Sequence, residues 1–161
     1  MYGLMVFLHV LGAFVFVLAH GASMLVAFRL RSEREPARVA ALLDLSSLGI
    51  NVMYVGLVLL LVAGVTAGFL GDSWGRLWIW LAIAILVAVM GAMYPIGTMF
   101  YARLRLAAGA KVPEQLARRY DPPPTAADLD AMLVSNRPFI LATIGGIGLT
   151  AIIWLMVAKP F

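Results

Sequence analysis

The chain contains no cysteine, which removes disulfides, thiolate nucleophiles and cysteine-ligated zinc or iron–sulfur centres together. Charge is scarce as well: Asp, Glu, Lys and Arg make up 12% of the 161 residues, about half of the ~25% usual in a soluble domain. Four stretches, Met1–Phe28, Leu45–Gly71, Leu77–Ala102 and Pro138–Ala158, hold no charged residue. Without an Asp or Glu in them, a proton relay through buried carboxylates or an acidic cation site at mid-membrane has no residues to use, which counts against a pump or an ion-coupled transporter. The connections between the stretches are too short to house a separate catalytic domain.

What fills the chain is apolar: 63% of residues are hydrophobic and the mean hydropathy is +0.99. A helix crosses a ~30 Å hydrocarbon core with about 20 apolar residues, so each charge-free stretch is long enough to span. The expected fold is all-α, an integral membrane four-helix bundle forming one transmembrane domain over residues 1–161, with spans at about 2–28, 46–71, 76–103 and 137–158. Ten of the twelve basic residues (Arg29, Arg31, Arg34, Arg38, Arg103, Arg105, Lys111, Arg118, Arg119 and Arg137) fall in or beside the first and third connections, leaving Arg76 and Lys159 on the other side. The positive-inside rule then makes residues of about 29–45 and 104–136 cytoplasmic loops and puts both termini outside, in a bacterial inner membrane. The same distribution reads the pI of about 9.9 as topology and gives no nucleic-acid face. The first span has neither a basic n-region nor an obvious small-residue cleavage site, and is expected to be a retained helix.

Local signals add detail. The mixed-charge run Arg29–Arg38 is expected to carry the first helix into a solvated face until Pro36 interrupts it, with contact to anionic lipid as the alternative. Pro113 opens a short helix after Lys111-Val112, Asp121-Pro122-Pro123-Pro124 forms a turn, and Thr125-Ala126-Ala127-Asp128 starts a short surface helix whose apolar face is Leu129, Met132 and Leu133. Trp74, Trp78 and Trp80 at the start of span three and Trp154 near the end of span four suit an aromatic belt. Gly64-x-x-x-Gly68 is a small-residue pattern that lets helix backbones approach, and Pro95 is expected to disturb span three.

The remaining polar chemistry inside the spans is both histidines, His9 and His20, on the first helix. Eleven residues at about 100° each leave them within about 20° of each other and roughly 16 Å apart along the axis. Gly12, Phe16, Ser23 and Ala27 share that face, a stripe suited to close packing or to a flat ligand. Counting depth from the basic edge brings Met53, Tyr94 and Gly145-Gly146 to the level of His20, and Gly64 and Thr150 to that of His9. Three readings fit: structural histidines bonded to a neighbouring helix, axial ligands of haem b, or a copper site of imidazole and thioether. A di-haem cytochrome stacks histidines in this way, but each iron usually takes a second ligand from a facing helix. Here that ligand must be Met53 or another non-histidine group, or a histidine from a second copy in a homodimer; otherwise the iron is five-coordinate.

The opening Phe7-Leu8-His9-Val10-Leu11-Gly12-Ala13, the arginine-rich turn and the glycine-bearing second span resemble an uncharacterised family of small bacterial four-span membrane proteins related to the copper resistance protein D and HemJ-type protoporphyrinogen oxidase families. The HemJ-type resemblance implies haem bound through a first-span histidine, which His9 matches, and a lysine in a later span, which this chain lacks; that departure counts against protoporphyrinogen oxidation. The resemblance to copper resistance protein D lies in the helix-opening pattern and implies copper handling at the inner membrane. The expected function is a small haem-binding membrane redox protein, or a subunit of a larger membrane redox complex, with haem b on His9 and His20 and with Met53 and Tyr94 as cofactor-side residues. The alternative is a non-enzymatic membrane protein, an assembly subunit or a copper-handling protein, with structural histidines.

Overall fold

The computed structural model describes residues 1–110, 112–120, 122 and 124–161. Among the described residues every regular element is helical: α1 (Tyr2–Leu30), α2 (Pro36–Leu70), α3 (Leu77–Met93), a π-helical turn (Tyr94–Thr98), α4 (Met99–Ala107), α5 (Glu114–Ala117), α6 (Ala126–Leu133) and α7 (Arg137–Ala158). Four helical runs are long and apolar enough to cross a membrane: α1, α2, the run from Leu77 to Ala107, and the one that ends at Ala158. The chain is an all-helical, multi-pass integral membrane protein.

The first connection is shorter than its charge pattern suggested. The α1 helix stops at Leu30 and Pro36 is already inside α2, because proline's missing N–H is harmless in a first helical turn. Glu33 closes the corner by accepting the backbone N–H groups of Arg34 and Glu35, at 3.0 and 3.3 Å. Those two donors, with Arg38 and Arg29 nearby, hold its carboxyl below the usual carboxylate range.

Two helix pairs make the bundle: α1 lies along α2, and α3 along α7. The first pair is in backbone contact. A Cβ on Gly12 would lie 2.5 Å from the Leu60 nitrogen, and one on Gly56 would lie 2.7 Å from the Phe16 nitrogen. Lipid tails are as apolar as leucine, so helix pairs in a membrane gain from this intimate van der Waals packing and not from a hydrophobic driving force. The Gly64-x-x-x-Gly68 pattern serves differently from the expected backbone approach: Gly64 makes room for the His9 imidazole and Gly68 for the Trp74 indole. The two helix pairs meet more sparingly, where α1 approaches α7 and where α2 approaches α4.

At the basic end, Leu30, Val39, Leu43, Leu104, Leu129 and Leu133 form a buried cluster that joins α1, α2, α4 and α6. The α6 helix has the expected reciprocal cap between Thr125 and Asp128, and Leu129 and Leu133 are the side chains it buries. Arg105 ties α4 to α2 by donating to the Leu43 carbonyl and the Ser47 hydroxyl, each at 2.8 Å, and by pairing with Asp44. The turn expected over Asp121-Pro122-Pro123-Pro124 includes Asp121 and Pro123, and the start proposed at Lys111-Val112 includes Lys111; these three lie outside the described residues. At the opposite end, Trp78 is buried with Ala82 and Leu155, while Trp74 packs between Phe69 and Trp80 and accepts the Trp80 indole N–H at its carbonyl, 2.9 Å away.

Candidate cofactor site along the first helix

The α1 helix runs without interruption from Tyr2 to Leu30, so both imidazoles project from one rod. Both are half-buried. They meet different neighbours, because α2 covers the upper part of their shared face and α7 approaches the lower.

His9 is held in the α1–α2 interface. Its Nδ1 lies 2.8 Å from the Leu60 carbonyl oxygen, and a carbonyl can only accept, so Nδ1 carries the proton and donates it. The ring lies flush on Gly64, where a Cβ would come within 2.5 Å of Nδ1. In the neutral ring Nε2 is therefore the lone-pair nitrogen, fixed in tautomer and direction by the bond on the other side. Gly64 is thus the neighbour that the depth count placed there. Thr150 instead donates to the Gly146 carbonyl of its own helix, at 2.8 Å.

His20 has the opposite character. It stacks parallel to Phe16 one turn away, with ring centroids 5.9 Å apart, and no hydrogen bond engages it among the described residues. Its Nε2 points toward α7, where a Cβ on Gly145 would lie 3.5 Å from it. The same Cβ would lie 2.9 Å from the methyl carbon of Met93, so an imidazole from α1 and a thioether from the end of α3 meet at one glycine of α7. Next to it, a Cβ on Gly146 would meet nothing within 4 Å. An imidazole with no partner inside a bilayer is costly, since no water replaces the missing bonds.

Met93 carries no signal in the sequence that sets it apart from the other methionines of the spans. It lies one residue from Tyr94, the position that the depth count had placed level with His20, and only rotation about the helix axis distinguishes the two. Tyr94 is exposed in the π turn and Met53 is half-buried in α2; neither is linked to His9 or His20 by a hydrogen bond or by ring contact among the described residues. The π turn follows Met93 directly. Proline at 95 cannot donate to the carbonyl four residues back, and the helix responds by widening for one turn.

The arrangement can supply an imidazole nitrogen and a thioether sulfur together at His20 and Met93, and a second imidazole nitrogen at His9, about three helical turns away. It has no carboxylate, and no group of three or more His, Cys, Asp or Glu residues gathers among the described residues to hold a bare metal ion. The sequence profile of a family described as predicted integral membrane protein (DUF2269) matches residues 3–160. No curated protein and no solved structure matches the chain.

Proposed function

Since the chain belongs to the family of predicted integral membrane proteins (DUF2269), we propose that it is a small membrane redox protein, or the redox subunit of a larger membrane complex, that holds haem b at His20. The observation that carries this reading is the His20 imidazole, which has no hydrogen-bond partner among the described residues and points at Gly145 of α7 with Met93 beside it. His20 Nε2 and the Met93 thioether would be the groups that hold the iron. The missing side chain at Gly145 is the room that Met93 and His20 share, and Gly146 beside it leaves an open, flat surface on α7. His9, whose Nδ1–H is given to Leu60, would present a second Nε2 about three turns away, with a second copy of the chain as the source of any further ligand. Haem, when bound, supplies one-electron exchange at iron, and thioether ligation raises its potential relative to bis-imidazole. The apolar span around the site excludes water, and the missing lysine leaves no ammonium group in the spans for proton chemistry. In this reading both termini are outside and the basic end faces the cytoplasm of a bacterial cell.

A second reading is favoured by the same pair of side chains: imidazole and thioether are suitable ligands for copper(I), and His20 with Met93 would then belong to a copper-handling protein. One preparation separates the readings. Protein purified from cells supplied with haem is expected to show a Soret band that disappears in His20→Ala, and Met93→Leu is expected to keep the haem but lower its reduction potential. Copper without iron in the purified protein supports the second reading. Colourless wild-type protein holding neither metal sinks both, and leaves a packing subunit with structural histidines.

A further inference from the structure

Three arginines of the described chain are half-buried: Arg31, Arg105 and Arg137. Arg105 has the Asp44 carboxylate. Arg31 and Arg137 have no carboxylate among the described residues, although Arg29, Arg38, Arg103 and Arg118, all more exposed, each have one.

What the two arginines do have is shape without counter-charge. Arg31 donates to the Ser135 carbonyl and lies 4.9 Å from the centre of the Phe139 ring. Arg137 donates to the Ile96 carbonyl at 3.3 Å and lies 4.7 Å from the centre of the Phe100 ring. Carbonyl and ring contacts orient a guanidinium plane and leave its charge uncompensated. Beside Arg31, and next to the Phe100 ring on which Arg137 lies, is the Tyr101 hydroxyl, which is buried and has no hydrogen-bond partner among the described residues. Arg31, Tyr101 and Ser135 line one cleft, with Phe100 and Pro138. The α7 helix begins beside it, and no side chain caps that first turn, so its dipole adds positive potential in the same place.

Two fixed cations, a free hydroxyl donor and a helix start, at the point where the spans leave the hydrocarbon, call for an anion that resides there. We infer that this corner between α1, α4 and α7 is a binding site for the phosphate of an anionic lipid headgroup in the leaflet at the basic end. Phosphate matches the paired donors that guanidinium presents. The lipid's tails account for a location at the membrane edge, and the apolar rings of Phe100 and Phe139 give those tails a surface. Basic pockets between spans on the cytoplasmic side suit such headgroups. The site does not depend on the cofactor reading, since no hydrogen bond or ring contact links its residues to His9, His20 or Met93 among the described residues.

The test uses the full-length protein in neutral detergent, with native mass spectrometry and thermal melting read in parallel. Phosphatidylglycerol is expected to be retained over phosphatidylcholine of the same chain length by on the order of tenfold, about what one or two basic groups at a membrane surface supply. It is also expected to raise the melting temperature. The double variant Arg31→Gln/Arg137→Gln should lose that preference, Tyr101→Phe, which removes only an unpaired hydroxyl, should weaken retention several-fold while folding normally, and Arg76→Gln at the other end should change nothing. Equal retention of the two lipids by the wild type overturns the inference whatever the variants do. Equal protection by inorganic phosphate overturns the lipid assignment and makes the ligand a soluble phosphate.

Discussion

Single glycines decide how closely the first two spans pack, and their surroundings differ enough to predict opposite outcomes. A methyl group on Gly12 would sit 2.5 Å from one backbone atom of Leu60 and 2.9 Å from another, and backbone cannot rotate aside as a side chain can. Gly12→Ala should therefore force α1 and α2 apart and destabilise the fold by about 1–3 kcal/mol, the usual range for overpacking. At Gly91 a Cβ would meet nothing within 4 Å, so Gly91→Ala should be neutral or gain ~0.5–1 kcal/mol from reduced backbone freedom in the unfolded state. Thermal unfolding of the two variants in the same detergent checks both. A stable Gly12→Ala protein would mean that the α1–α2 contact is looser than described. The sequence showed which residues are small and polar, but not which of them touch. His9 and His20 were readable as co-facial from their spacing alone; that one would be satisfied by Leu60 and the other left without a partner depends on where α2 and α7 pass, which no local pattern encodes.

At the scale of helices, existence was legible and rotation was not. Each span announces itself by a long run without charge, and α7 begins and ends almost where those charges do, at Arg137 and Ala158. These helices are apolar on every side, because lipid and protein neighbours ask for the same side chains, so there is no polar face to tell which side turns inward. That is why counting depth reaches Tyr94 while the side chain beside His20 is that of its neighbour, Met93. The disturbance near Pro95 was legible because proline acts on its own helix. Its form, a π turn over Tyr94–Thr98, carries a consequence for the site. The turn sets the rotation of everything after Met93, including the Ile96 carbonyl that receives Arg137. Pro95→Ala restores a donor, and the helix should close to regular α geometry. Amide hydrogen exchange across residues 94–98 should slow, and Arg137 should lose its carbonyl partner. Exchange as fast as in the wild type would show that the π turn is imposed by packing and not by the proline.

For the molecule as a whole, the two ends are chemically unlike, and that asymmetry makes orientation testable. One end carries the leucine cluster under α6, the Arg105–Asp44 tie, and Arg31 and Arg137, which have no carboxylate partner among the described residues. The other carries the tryptophan cluster, with Lys159 placed 5.9 Å from the Trp78 ring and Arg76 as its other basic residue. Lys and Arg near span ends are what hold a loop in the cytoplasm, and acidic residues contribute little to that choice. An alkaline phosphatase fused after Phe161 should therefore be active, which requires export, and one fused near Gly109 should be silent. Moving the balance should move the outcome: replacing Arg29, Arg31, Arg34 and Arg38 with glutamine while adding arginines after Asp72 should yield a mixed population. The reverse pattern in the unaltered chain would place the Arg31–Arg137 corner in the outer leaflet. Anionic lipid could still bind there, but His20, at the inner half of its helix in the orientation proposed, would then lie nearer the outside, and the redox reading proposed above would need its electron partner on that side of the membrane.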